Sequence, residues 1–188
     1  MMKPYSCGLI IRSKIRTGGR EMKKILILNG SPRKNGTTAA LVKSFAEGAE
    51  GAGNEVREFY LQGMNIGGCL ACEACSRNGG KCVQKDDMEQ INEAMLWADV
   101  VVLASPMYWA TITGQLKIVI DRMYALQNRV GMENFKKESV LIMTSRGEYY
   151  DMAKQFYGIF GMIGWKDLGT ILGADKTEEA KVLGASIV

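Results

Sequence analysis

Four cysteines recur at short intervals in one segment of the chain. Their spacing is C-x2-C-x2-C-x6-C, formed by Cys69, Cys72, Cys75 and Cys82. Three thiolates at two-residue separations can surround one corner of a cubane, and the fourth can return across Gly79 and Gly80 to complete a [4Fe-4S] cluster. Because no proline follows Cys82 and no second cysteine set exists, all four would serve the same cluster. Four thiolates in a chain without histidine also suit structural zinc, and free or redox-paired thiols are the third alternative.

A second stretch, G-S-P-R-K-N-G-T-T from Gly30 to Thr38, has the composition of an anion site. Two glycines let the backbone approach a ligand, and a helix start adds unpaired N-H groups and the positive end of a dipole. The hydroxyls belong to Ser31, Thr37 and Thr38, and the cations to Arg33 and Lys34. An ordinary strand-to-helix turn with solvated cations is the simpler interpretation.

The kind of phosphate follows from spacing. The Walker pattern fails because Gly36 precedes Thr37 rather than lysine, and the glycines do not have the G-x-G-x-x-G spacing of dinucleotide sites. Glu58, which lies near the position of a ribose-binding acid, is interpreted as a surface strand residue. What remains is a terminal monophosphate held by hydroxyls and backbone amides.

These residues need a scaffold, and apolar runs of strand length alternate with amphipathic segments along the chain. The predicted strands are Ile25–Leu28, Asn54–Leu61, Asp99–Ala104, Ser139–Thr144 and Trp165–Leu172. The predicted helices are Thr38–Glu50, Asp87–Ala98, Thr113–Gln127, Tyr149–Ile163 and Lys176–Ala185. This alternation predicts a doubly wound, flavodoxin-like α/β fold, a five-stranded parallel sheet in the order 2-1-3-4-5. Ligands bind such sheets beyond the carboxyl ends of the strands, where the loops after strands one, three and four converge.

The length of 188 residues predicts one domain, which we assign to residues 22–188. A cysteine-rich loop spans residues 62–86 of this domain. The net charge of +4 comes from residues 1–21, which hold five basic residues against Glu21 alone. The remainder has 24 minus 5, or 19, basic and 20 minus 1, or 19, acidic residues. Because residues 22–188 carry no net charge, the charge of the domain gives no indication of nucleic acid binding.

Residues 1–21 are predicted to be an N-terminal extension, disordered or the product of an early start codon, with a capping strand over Tyr5–Ile11 as the alternative. Leu9, Ile10 and Ile11 are too few for a signal peptide, and no apolar run reaches the roughly 18 residues of a membrane span. We expect a cytoplasmic protein that does not associate with membranes.

The loop Gly30–Thr38 resembles the FMN-phosphate loop of the flavodoxin-like NADPH-dependent FMN reductase family, and S-P-M-Y-W at Ser105–Trp109 resembles its isoalloxazine loop. The resemblance implies FMN as cofactor and a flavin border formed by the loop after strand four. The implied cofactor-binding residues are Ser31, Arg33, Asn35, Thr37, Thr38, Pro106, Met107, Tyr108, Trp109, Ala110, Thr144, Ser145, Arg146 and Gly147. The alternative for Tyr108 and Trp109 is packing at the top of the core, and for Arg146 contact with solvent or a nicotinamide nucleotide.

The cysteine stretch, with K-D-D-M at Lys85–Met88, resembles the compact motif of the iron-sulfur flavoproteins, a branch of the same family. The resemblance implies an oxidoreductase that moves electrons from NAD(P)H or ferredoxin to a small acceptor such as O2 or a quinone. No catalytic side chain is expected, because the flavin carries the chemistry. The alternatives are a cluster-free NAD(P)H-dependent FMN or quinone reductase and a redox-sensing FMN-binding module.

The absence of histidine and of paired carboxylates removes the usual hydrolytic mechanisms. We also expect a homodimer or homotetramer, because relatives close the open side of the flavin with a neighbouring subunit. Aromatic residues and methionines around Met107, Tyr108, Met123 and Tyr124 would suit such an interface.

Overall fold

The computed structural model describes residues 21–147 and 149–188. The predicted N-terminal extension, apart from Glu21, and the alternative strand Tyr5–Ile11 therefore lie outside the described residues. The strands are β1 (Lys24–Asn29), β2 (Glu55–Tyr60), β3 (Val100–Pro106), β4 (Glu138–Thr144) and β5 (Lys166–Leu172). The helices are α1 (Thr37–Gly51), α2 (Ala74–Arg77), α3 (Met88–Trp97), α4 (Gly114–Val130), α5 (Asp151–Met162) and α6 (Thr177–Ser186), and short 3-10 turns lie at Leu61–Gly63 and Met132–Phe135.

The five strands form one sheet in the order β2-β1-β3-β4-β5, and every neighbouring pair is parallel. This confirms the flavodoxin-like topology predicted from the alternation of strands and helices. Since β1 and β3 are neighbours whose following helices lie on opposite faces, the loops after them meet at the point where the winding reverses.

The continuous aliphatic run of β1 is explained by burial on both faces of the sheet. Ile25 and Ile27 pack with residues of α1 and α6, whereas Leu26 and Leu28 pack with residues of α3, α4 and α5. Each such side chain contributes about 1.5–3 kcal/mol relative to exposure. The central strand is therefore a rigid base for the loop that follows it.

Two predicted details differ from the structure. The loop after β3 was expected to begin at Ser105, but the strand continues as Ser105 pairs with Met143 and Pro106 with Thr144. Met123 was expected at an exposed subunit interface, but it lies in the core because it shares the inward face of α4 with Leu126. Among the described residues, no helix has both the length and the apolar composition needed to cross a bilayer.

Candidate functional site

One cavity of about 680 Å³ lies at the carboxyl edge of the sheet. The loops after β1, β3 and β4 border it, as the topology predicts, and Ala174 from the loop after β5 also lines it. The lining residues are Ser31, Pro32, Arg33, Gly36, Thr37, Thr38, Pro106, Met107, Tyr108, Thr144, Ser145, Arg146 and Ala174. Four other predicted site residues belong to the same loops but not to the lining: Asn35, Trp109, Ala110 and Gly147.

The loop after β1 is held by side chains on both sides of its bend. The Asn29 Oδ1 accepts a hydrogen bond from the Ser31 amide at 3.0 Å, and its Nδ2 donates to Glu58 at 2.8 Å. The Tyr60 hydroxyl donates to the Pro32 carbonyl at 2.9 Å. Glu58 is exposed, as expected, but it fixes Asn29 and through it the start of the loop.

Gly30 is required where this loop passes α4. A Cβ atom at Gly30 would lie 2.8 Å from both the Leu116 Cβ and the Thr113 Oγ1. The Gly30 amide donates to the Ala104 carbonyl at 2.8 Å, and the Thr113 hydroxyl donates to the Gly30 carbonyl at 2.8 Å. The glycine therefore lets the loops after β1 and β3 lie in direct contact.

The first turn of α1 faces this cavity with groups suited to an anion. Gly36 precedes the helix, and no side chain of the described residues caps its first turn. The Thr37 side chain is exposed, and Arg33 and Lys34 are exposed beside it. Unpaired first-turn amides, a nearby hydroxyl and a cation are the donors that a phosphate needs, so the residues present fit the phosphate of FMN.

The loop after β3 presents aromatic residues on an unusual backbone. Trp109 and Ala110 have φ angles of 48° and 63°, in the left-handed region that costs a residue with a side chain about 1–3 kcal/mol. The turn is closed by hydrogen bonds between the backbones of Tyr108 and Thr111, at 2.9 and 3.1 Å. The Trp109 side chain is 99% exposed. It does not pack on the core, in contrast to the alternative weighed above, and its ring is free to contact a planar ligand.

The loop after β4 joins the other two. The Met107 amide donates to the Thr144 carbonyl at 2.7 Å, and the Thr38 and Thr144 hydroxyls are hydrogen-bonded at 2.7 Å. The Ser145 Oγ accepts from the Gly147 amide at 3.2 Å, which turns the chain away from the strand. Arg146 is exposed at the edge of the cavity.

The cysteine loop forms a second site beside α4. All four cysteines line one small cavity of about 60 Å³, together with Asp121, Arg122 and Tyr124. Cys69 and Cys72 are exposed, Cys75 and Cys82 are half-buried, and all four are free thiols. Within the ranges 21–147 and 149–188, no three cysteine, aspartate or glutamate side chains converge closely enough to hold one metal ion.

Arg122 closes the base of this loop. Its guanidinium is 3% exposed and donates to both carboxylate oxygens of Asp86, at 2.7 and 3.1 Å, and to the Gly67 carbonyl at 2.6 Å. Burial raises the pKa of Asp86, but the hydrogen bonds from Arg122 and from the Gly67 and Met88 amides bring it below its usual value. Hydrogen bonds of Arg122 and Asp86 thus join Gly67, which precedes the cysteines, to Asp86, which follows them.

The Arg122 Nε is buried without a hydrogen-bond partner in the described part of the chain. Burial lowers the pKa of Arg122, whereas Asp86 and the nearby Cys82 sulfur raise it above the usual value. An unpaired cationic donor among four thiols matches the negative charge of a thiolate-bound cluster. The donor set and its surroundings therefore fit an iron-sulfur cluster.

Sequence reasoning missed Arg122, and it included Asp86 only within the K-D-D-M motif, without a role. The available signal was the position of Arg122 on the apolar face of α4, between Val119 and Leu126. A charged residue on such a face requires a buried partner.

Comparison with known proteins places the chain in one family. Residues 23–177 match the family model described as NADPH-dependent FMN reductase. An iron-sulfur flavoprotein of Archaeoglobus fulgidus is 29% identical over 175 residues, which cover 88% of this chain and 79% of that protein. An iron-sulfur flavoprotein of Methanocaldococcus jannaschii is 38% identical over 117 residues, but these cover only 58% of this chain and 59% of that protein.

A solved structure shows the same fold at low identity. The NAD(P)H:quinone oxidoreductase from Methanothermobacter marburgensis superimposes with a TM-score of 0.68 at 18% identity, covering 88% of this chain and 96% of that one. At this identity the likeness concerns the fold alone.

Proposed function

Because the chain belongs to the NADPH-dependent FMN reductase family, in its iron-sulfur flavoprotein branch, we propose that it is an FMN-dependent oxidoreductase. It would transfer electrons from a reduced donor to a small acceptor such as O2 or a quinone. The observation that carries this proposal is the cavity at the switch point of the sheet, bordered by three loops that are hydrogen-bonded to one another.

The loop after β1 binds the phosphate in this proposal. Ser31, Thr37 and Thr38 supply hydroxyls, and the first-turn amides of α1 supply N-H donors. Arg33 lines the cavity and adds charge, while Asn35 is exposed on the same loop. Since Asn29, Tyr60 and Thr144 already hold this loop, little ordering is needed when the ligand binds.

The other two loops position the ring. FMN, when bound, accepts a hydride or single electrons, which is why no acid or base from the chain is required. Pro106, Met107 and Tyr108 would border the ring, Trp109 would stack on it, and the backbone of Trp109 and Ala110 would approach its edge. Thr144, Ser145, Arg146 and Gly147 would border it from the loop after β4, where Arg146 could also contact a nicotinamide nucleotide.

The cysteine loop would hold a [4Fe-4S] cluster through Cys69, Cys72, Cys75 and Cys82. This is supported by the common cavity of the four thiols, the orphaned donor of Arg122 and the relatives named iron-sulfur flavoproteins. The cluster would supply one-electron transfer. The electron donor would be NAD(P)H or ferredoxin.

We also propose a homodimer or homotetramer. Tyr108, Trp109 and Tyr124 are exposed close to the two sites, and Leu70 is exposed on the cysteine loop. A neighbouring subunit that covers these residues would exclude water from the flavin. The neutral charge of the body favours no nucleic acid partner.

The visible spectrum of anaerobically purified protein separates this proposal from its alternatives. Flavin bands with a broad absorption near about 400 nm that bleaches with dithionite would support the cluster. Flavin bands alone would identify a cluster-free reductase, and zinc in metal analysis would identify a structural site. NAD(P)H oxidation with a quinone acceptor separates an enzyme from a redox-sensing module, which would bind FMN without turnover.

A further inference from the structure

Two aspartates of the K-D-D-M motif after the last cysteine form hydrogen bonds with the segment before the first cysteine. The Asp86 carboxylate accepts from the Gly67 amide at 3.0 Å and from the Met88 amide at 3.2 Å. Asp87 accepts from the Asn65 amide at 2.8 Å, and its own amide donates to the Asn65 carbonyl at 3.0 Å. Gln84 donates to the Gly68 carbonyl at 2.9 Å.

These contacts join the segment before Cys69 to the segment after Cys82. We call the set Asn65, Gly67, Gly68, Gln84, Asp86 and Asp87, with Arg122, the clamp. Arg122 binds the Gly67 carbonyl and the Asp86 carboxylate from the body of the domain. The clamp therefore holds together the residues that flank the first and last cysteines.

Only the cation of the Arg122–Asp86 pair lines the cavity formed by the cysteines. Arg122 lines the thiol cavity, whereas Asp86 does not. The guanidinium is buried, so its charge is weakly screened by solvent. The cation of the pair lines the thiol cavity, whereas the carboxylate lies outside that lining and accepts hydrogen bonds from the Gly67 and Met88 amides.

We propose that Arg122 is a positioning residue that closes the cysteine loop before a cluster binds and then raises the reduction potential of that cluster. This inference rests on the proposed function, because it requires the cluster. Reduction adds one electron to the cluster and changes no bond. A buried cation stabilises the added negative charge, which moves the potential upward.

The test is a dithionite titration of full-length, cluster-containing variants at fixed pH, followed by cluster absorbance. Arg122→Gln removes the cation and is expected to lower the potential. Asp86→Asn removes the opposing carboxylate and is expected to raise it. We expect at least a tenfold change in the oxidised-to-reduced ratio in each case, which is about 59 mV for a one-electron couple. General disruption of the loop would not give shifts of opposite sign.

Two further variants keep the test decisive if Arg122→Gln does not fold. Arg122→Lys retains the charge but not the fork, so its potential should stay near the wild-type value. Lys43→Gln removes an exposed cation of α1, which is paired with Glu47 at 4.0 Å and does not line the thiol cavity, and should leave the potential unchanged.

Hydrogen exchange of the iron-free chain tests the clamp separately. Arg122→Lys should speed exchange of the Gly67 amide at least tenfold, whereas Lys43→Gln should not. Equal exchange in the two variants would overturn the clamp. Iron binding with wild-type potentials in Arg122→Gln and Asp86→Asn would overturn the electrostatic role alone, and absence of iron from the wild-type protein would overturn the proposed cluster as well.

Discussion

The hydroxyl oxygens of Thr38 and Thr144 lie 2.7 Å apart, and both residues are buried. Thr38 belongs to the first turn of α1, and Thr144 ends β4. Their hydrogen bond joins two loops that are more than 100 residues apart in sequence and that border the same cavity. The proposed phosphate and ring regions of the site are therefore mechanically connected before any ligand binds.

Because α1 and α6 are in close contact, adding one methyl group between them is expected to lower the stability of the fold strongly. A Cβ at Gly184 would lie 2.1 Å from the Phe45 carbonyl oxygen, so Gly184→Ala must push the helices apart. We expect the free energy of unfolding to fall by about 1–3 kcal/mol in urea denaturation. Gly158→Ala is the control, because its Cβ would meet nothing within 4 Å, and it should raise stability by about 0.5–1 kcal/mol. Equal effects of the two substitutions would contradict the close packing.

Much of this architecture could be predicted because buried parallel strands carry continuous aliphatic runs, as β1 and β3 do. The strand order then placed three loops at one edge. The Arg122–Asp86 pair could not be predicted, since its members are 36 residues apart and local periodicity does not report such contacts. Likewise, the left-handed backbone of Trp109 depends on the turn closed by Tyr108 and Thr111, and not on a glycine that the sequence would reveal.

Replacement of one cysteine tests the metal site. Cys72→Ala is expected to reduce iron from about four atoms per chain to a small fraction of that value, because a cubane needs all four thiolates. FMN binding should remain, since Cys72 does not line the FMN cavity. Cys7→Ala, outside the four-cysteine set, is the control. Unchanged iron by metal analysis in Cys72→Ala would refute the ligand assignment.

Replacement of Trp109 should affect FMN binding without affecting folding. Trp109→Ala should leave the free energy of unfolding of a single subunit within about 0.5 kcal/mol, because a side chain that is 99% exposed buries almost no area within that subunit. If the ring stacks on the flavin, FMN affinity should fall roughly two- to tenfold, as expected for one aromatic contact. Met162→Ala, which removes an exposed side chain of α5, should change neither quantity. Wild-type affinity in Trp109→Ala would argue against stacking.

The lowered pKa of Asp86 predicts acid sensitivity. Because the folded-state pKa lies below the unfolded value of about 3.9, the stabilising contribution is fully present above that value. It is lost as the pH falls from there through the folded-state pKa. We expect Asp86→Asn to show a shallower loss of stability than wild type in this range, measured by urea denaturation of the iron-free protein. If the stability of the two proteins falls equally with pH, protonation of Asp86 does not contribute to the acid sensitivity.

The most direct test of the account is equilibrium titration of the purified chain with FMN and, separately, with riboflavin, followed by flavin fluorescence. The account predicts saturable binding of one FMN per chain, and at least tenfold weaker binding of riboflavin, because the latter lacks the phosphate held at the start of α1. Thr37→Val should weaken FMN binding and leave riboflavin binding unchanged. Failure to bind FMN, or equal affinity for the two flavins, would contradict the central claim.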